Sequence, residues 1–149
     1  MKVGELCKRN AVSLSAAAPV SEALRLMYEE NVGSVVATAS PLDGLIAIGI
    51  LTDRDIVCAQ LAGARDLGQI RMADIMSADP LVLNEEDSID DAIRRMRSRA
   101  VRRAPVLGAG GLLKGVISFD DLVAHVAENL AALARLMTKR SDRDGSWTI

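Results

Sequence analysis

Aromatic side chains are almost missing from this chain of 149 residues: Tyr28, Phe119 and Trp147 are the only ones. Half of the residues are nonetheless apolar. A core therefore has to be built from Val, Ile, Leu, Ala and Met, a mix that suits helices packed on a sheet. The same shortage leaves few rings on which nucleic-acid bases could stack. Charge of one sign is lacking too: 18 Lys and Arg against 20 Asp and Glu provide no field that gathers phosphate backbone by counterion release. Nucleic acid is not an expected partner. Cysteine is limited to Cys7 and Cys58, which form no CxxC pair, and His125 is the only histidine. Reduced thiols and no metal site are the expectation. The opening MKVGELCKRN has no apolar signal-peptide core, and no apolar run approaches the ~20 residues that span a bilayer. A cytoplasmic protein without a membrane partner is expected.

What is present is a duplication. The segment from Asn10 to Met27 lies over the segment from Asp79 to Met96, with Ala23 on Ala92, Leu24 on Ile93 and Met27 on Met96. Further on, GILTDRDIV (Gly49 to Val57) lies over GVISFDDLV (Gly115 to Val123). The length difference falls in a turn, longer as TASPLDG (Thr38 to Gly44) than as GAGG (Gly108 to Gly111), where a duplicated fold tolerates it best.

Each copy reads as the same series of elements. A short strand (Val12 to Leu14, Leu81 to Leu83) precedes a helix that begins near Pro19 in one copy and is capped by Ser88 in the other. Two apolar runs around a Gly-containing turn then signal a hairpin: SVVATA with LIAIGIL, and APVL with LLKGVI. A last helix starts at Asp53 or Phe119. The predicted fold class is α/β (α+β), two β-α-β-β-α repeats packed as a pseudo-twofold pair. Residues 1–66 form the first repeat, 67–137 the second with an extended C-terminal helix, and 138–149 a flexible tail. Leu122, Val126, Leu130, Leu133 and Met137 lie on an apolar face of that helix, either core packing or an oligomer interface.

The recurring strand end is the most informative fragment. Both copies keep Gly, two aliphatic residues, a hydroxyl residue and an Asp three residues later: Thr52 with Asp55, Ser118 with Asp121. An ordinary helix cap with a first-turn acid accounts for the pattern. A helix N-terminus is also an anion site, and a nearby carboxylate accepts hydrogen bonds from the paired hydroxyls of a ribose. Phosphate at the cap and sugar at the carboxylate together describe a nucleotide.

On these residues the chain resembles the tandem cystathionine-β-synthase-type (CBS) domain family, over roughly Lys2 to Ala127. GILTDRDIV together with VRRAPV points to small stand-alone bacterial members. The resemblance implies a regulatory pair that binds an adenine nucleotide (AMP, ADP, ATP) or a related adenosyl compound such as S-adenosylmethionine or NAD, with no cofactor required. Hydroxyl-to-phosphate and Asp-to-ribose roles then pass to Thr52 with Asp55 and to Ser118 with Asp121. Each site is implied to be completed by the other repeat, so that Thr52 and Asp55 face Val82 and Arg102-Arg103, whereas Ser118 and Asp121 face Ser13 and Gly33-Ser34. One of the two arginines points into the cleft, since a strand alternates its side chains. The second site lacks a cation at Gly33-Ser34, which weakens it towards phosphate. Adenine would lie in aliphatic slots formed by Ile50 and Val82, and by Val116 with Val12 or Ser13. Affinity in the micromolar to tens-of-micromolar range is expected, on the order of a few phosphate and ribose hydrogen bonds. The resemblance further implies a homodimer and an effector protein still to be identified.

Other residues carry less. The run Glu85, Glu86, Asp87, Asp90 and Asp91 surrounds a helix start, where the dipole favours acids. No nucleophile, base and electrophile converge, so an enzyme is not expected. A protein-protein interaction module with an idle, vestigial cleft is the alternative to a ligand-binding regulator.

Overall fold

Two hydrophobic cores organise the chain, and each incorporates a segment that precedes the other repeat. The computed structural model describes residues 1–9, 11–40, 45–63 and 66–144, with side chains as far as Thr138. The longer turn, TASPLDG, falls largely outside them.

In the first repeat, β2 (Ser13–Ser15) runs parallel to β3 (Ser34–Ala39), which pairs antiparallel with β4 (Ile46–Thr52). Helices α2 (Val20–Glu29) and α3 (Asp53–Leu61) cover this sheet. The second repeat repeats the arrangement: β5 (Leu83–Asn84) is parallel to β6 (Arg103–Leu107), β6 is antiparallel to β7 (Leu113–Ser118), and α5 (Ile89–Arg99) and α6 (Phe119–Asp144) flank it. Even the register irregularity recurs, between Ala37 and Thr38 and between Val106 and Leu107. The run Ser34 to Thr38 is buried throughout, as expected of a β-branched strand covered on both faces.

Two short leading helices were not foreseen. Helix α1 (Val3–Leu6) precedes the first repeat but places Val3 in the second core, beside Leu83, Ile89 and Ile117. Helix α4 (Met72–Ile75) precedes the second repeat but places Met72 in the first core, beside Val20, Val35 and Leu51. The exchange is held by matching backbone bonds. Val3 and Gly4 donate to the carbonyls of Asp87 and Glu85, both at 2.9 Å, and Met72 and Ala73 donate to those of Ala18 and Ala16, again both at 2.9 Å. After α1 the chain continues into β1 (Lys8–Arg9), an edge strand antiparallel to β7 with Arg9 opposite Gly115. A Cβ at position 115 would lie 2.2 Å from the Lys8 carbonyl oxygen. Only glycine permits this approach.

Ser88 caps α5 as expected, its hydroxyl accepting from Asp91 N–H at 3.1 Å. Pro19 stands one residue outside α2, as its N-cap. Helix α6 runs past Met137 to Asp144, so the segment expected to begin a flexible tail starts as helix. Its sequence TKRSDRD holds no Gly or Pro before Gly145, so nothing breaks the propagating helix earlier. Residues 145–149 lie outside the described residues. Along α6, Val126, Leu130, Leu133 and Met137 are exposed, whereas Leu122 is buried in the second core.

Candidate functional site

The site is built on two helix N-termini. β4 ends at Thr52, and its Oγ1 accepts the Asp55 N–H at 3.2 Å, while Asp55 Oδ2 accepts the Thr52 N–H at 2.9 Å. Around Ser118 the geometry repeats, with 3.2 Å for the Asp121 N–H to Ser118 Oγ and 2.9 Å for the Ser118 N–H to Asp121 Oδ2. Ser118 Oγ–H also donates to Asp121 Oδ2 at 2.7 Å. These are capping boxes, so the bland explanation of the motif is correct as far as it goes. In both cases the cap consumes Oδ2 and leaves Oδ1 to other donors.

The cleft beside the first cap measures about 550 Å³, and Ile50, Thr52, Asp55, Arg102 and Arg103 line it. Val82 does not join them; Pro80 and Leu81 form that part of the wall instead. Side chains alternate along an extended segment. Leu81 and Leu83 take the buried positions, and the Val82 carbonyl is occupied by the Arg95 guanidinium at 2.8 Å. Arg54 and Arg99, with Asp53 and Asp79, complete the charged part of the wall.

The cleft beside the second cap measures about 380 Å³ and gathers Ser34, Val116, Ser118 and Asp121 with Val12 and Gly33. Ser13 is not part of the wall; Val12 is. Gly33-Ser34 bring no cation, as read from the sequence, but cations reach this cleft from elsewhere. Lys8 and Arg9 line it because β1 is paired with β7, and Arg103 reaches it as well. Lys8 Nζ lies 3.4 Å from Asp121 Oδ1, the oxygen that the cap leaves over.

The two arginines have different surroundings. Arg102 is exposed, its guanidinium 4.7 Å from the Phe119 ring centre and 3.9 Å from Asp120. Arg103 is half-buried between the clefts and lines both. Sequence reasoning missed Lys8, Arg9, Arg54 and Arg99. For the first two a signal existed, since KVGELC aligns with RMADIM upstream of the matched segment. His125 bonds with the Asn129 amide at 3.2 Å, one helical turn away. Burial pushes the Cys7 thiol above its ordinary value, partly offset by Lys114 and Arg9.

The CBS domain model of protein families matches this chain twice, at residues 3–62 and 72–128. The chain belongs to the CBS domain family. The two matches correspond to the two repeats and begin at the exchanged helices α1 and α4. Among relatives of this CBS pair, the CBS domain-containing protein YhcV of Bacillus subtilis is 32% identical over 113 residues, 76% of each chain. A CBS-domain protein from Burkholderia ambifaria superimposes with a TM-score of 0.74 at 26% identity, covering 100% of this chain and 99% of that one. The CBS pair of protein MJ0100, solved with 5'-methylthioadenosine and S-adenosyl-L-methionine, gives a TM-score of 0.75 over 87% of this chain and 98% of its own. At 16% identity that likeness shows the fold alone. No helix among the described residues is long and apolar enough to cross a membrane.

Proposed function

We propose that this CBS pair is a non-catalytic regulatory module whose clefts bind a compound with an adenosine end: AMP, ADP, ATP or a relative such as S-adenosylmethionine or NAD. One observation carries the reading. Each cleft presents a capped helix N-terminus, a carboxylate with an oxygen free of the cap, and arginine, within one wall. A phosphate suits the first and third of these and a ribose the second. The cleft volumes, about 550 and 380 Å³, fall in the roughly 300–1,000 Å³ range of small-molecule sites. Adenine is left with aliphatic walls, Ile50 with Leu81 in the larger cleft and Val116 with Val12 in the smaller. The adenosyl compounds in the MJ0100 pair agree with this ligand class.

Occupancy is passed on through repeat packing, since the clefts lie where the two repeats meet, and a ligand shifts that packing by its differential affinity for two arrangements. The exposed stripe of Val126, Leu130, Leu133 and Met137 on α6 supports a homodimer. That stripe also favours the second reading, an interaction module with an idle cleft. Thermal unfolding with millimolar AMP, ATP, NAD and S-adenosylmethionine, on wild type and Asp55→Ala, separates the two, because a ligand of the folded state raises the midpoint. A rise in wild type that Asp55→Ala lacks supports the sensor; no rise with any compound leaves the interaction module.

A further inference from the structure

Position 103 and its counterpart in the first repeat, position 34, occupy equivalent places: Ser34 pairs with Thr52 as Arg103 pairs with Ser118. The chemistry at the two is opposite. The first repeat offers Gly33 and Ser34, with no side chain reaching outward, and the second sends a guanidinium into the space so left. A Cβ at Gly33 would lie 3.0 Å from an Arg103 Nη and 3.3 Å from Asp53 Oδ2. The seam between the clefts therefore admits one large side chain, and Arg103 fills it.

Arg103 is half-buried and lines both clefts, yet among the described residues it has no carboxylate partner in an ion pair. Lys8, Arg95, Arg99 and Arg102 each have one, and the cleft arginines Arg9 and Arg54, which form none either, are exposed rather than half-buried. Asp53 lies beside the same Gly33 without forming an ion pair with Arg103, so this partly desolvated guanidinium keeps donors for an incoming anion. One guanidinium has one direction at a time, however, and here there are two clefts for it to face.

We infer that Arg103 is a single phosphate anchor shared by the two clefts, so that a phosphorylated ligand in one weakens the binding of a second in the other. This deepens the adenosyl-ligand reading and rests on it. The coupling is a property of the phosphate: adenosine, which has none, gives the guanidinium no reason to choose. The larger cleft takes the first equivalent, because its wall sets Arg54, Arg99 and Arg102 besides Arg103 against Asp53, Asp55 and Asp79, whereas the smaller sets only Lys8 and Arg9 besides Arg103 against Glu30, Asp120 and Asp121.

The test is calorimetric titration of the full chain with AMP and with adenosine, on wild type, Asp55→Ala, Arg103→Gln and the double variant. Asp55→Ala empties the larger cleft. The remaining cleft should then bind AMP more tightly than the second equivalent binds to wild type, by about 5- to 150-fold, the usual span of coupling between sites. The corresponding ratio for adenosine should be near one, and Arg103→Gln should bring the AMP ratio to one as well. Equal AMP affinities in wild type and Asp55→Ala, no AMP binding to Asp55→Ala, or a ratio that survives Arg103→Gln would each overturn the shared anchor while leaving a nucleotide site in place. Binding of neither compound to wild type overturns the ligand reading and the anchor with it. If Asp55→Ala does not fold, Asp55→Asn replaces it, since its amide oxygen still accepts the Thr52 N–H.

Discussion

The ammonium of Lys8 stands 3.4 Å from Oδ1 of Asp121, so an edge strand laid down before the first repeat supplies the cation for the last helix of the second. The Lys8 side chain is 80% exposed while that of Asp121 is only 14% exposed. The pair is therefore asymmetric, a solvated ammonium against a largely buried carboxylate.

Lys8→Met should accordingly lower stability by less than about 1 kcal/mol, as exposed ion pairs do, and the loss should shrink at high salt. Urea titrations at two ionic strengths measure it. A loss of several kcal/mol that ignores salt would mean that Lys8 holds β1 in place by packing rather than charge.

The exchanged helices make an opposite-repeat prediction. Met72→Ala should destabilise by about 2–5 kcal/mol, the cost of truncating a fully buried side chain, and the damage should appear in the first repeat. In hydrogen exchange, the amides of β3 and β4 lose protection before those of β6 and β7. Val3→Ala should reverse that order. Loss confined to the repeat that follows each helix in sequence would contradict the exchange.

A left-handed residue stands at the end of α5, its C-cap Ala100 at φ 52°, and just past the C-cap of α2, Asn31 at φ 53°. Asparagine tolerates that conformation and alanine does not, at a cost of roughly 1–2 kcal/mol. Ala100→Gly should remove the strain, and the net gain after the entropy of a freer unfolded chain is about 0.5–1 kcal/mol. A higher unfolding midpoint checks it; a lower one would mean that the methyl group matters more to the wall of the larger cleft than to backbone strain.

Cys7 makes stability sensitive to alkali. Burial raises its thiol above the ordinary value of 9.0, so the folded state keeps a proton that the unfolded state releases. The contribution is complete below pH 9.0 and is lost as pH rises through the folded value. Denaturation midpoints should therefore fall more steeply above that pH in wild type than in Cys7→Ala. A neutral-pH thiol reagent should modify the exposed Cys58 long before Cys7. Equal rates would show that Cys7 is not buried in solution.

Much of the fold was legible because its signals are local. The hairpin strands predicted from SVVATA and APVL match β3 and β6 to within a residue, and the helix starts at Asp53 and Phe119 are as expected. The Ser88 cap followed from the same kind of reasoning. The short helices α1 and α4 were missed because four residues carry too little periodicity to read, though their resemblance to each other was available in the chain. Val82 was misplaced for a related reason: the wall position depends on which way an extended segment turns, and β5 begins only at Leu83.

By itself the sequence determined the duplication, the order of elements, and the two caps with their carboxylates, because each of these depends on residues within a turn or two of one another. Tertiary structure alone decided which side chains meet those caps. Lys8 and Arg9 reach the second cleft only because α1 crosses to the other core and lays β1 against β7. Arg103 lines both clefts only because Gly33 leaves the space between them open. Such meetings are set by how two cores exchange segments and by the volume left at their seam, neither of which is written in any local pattern.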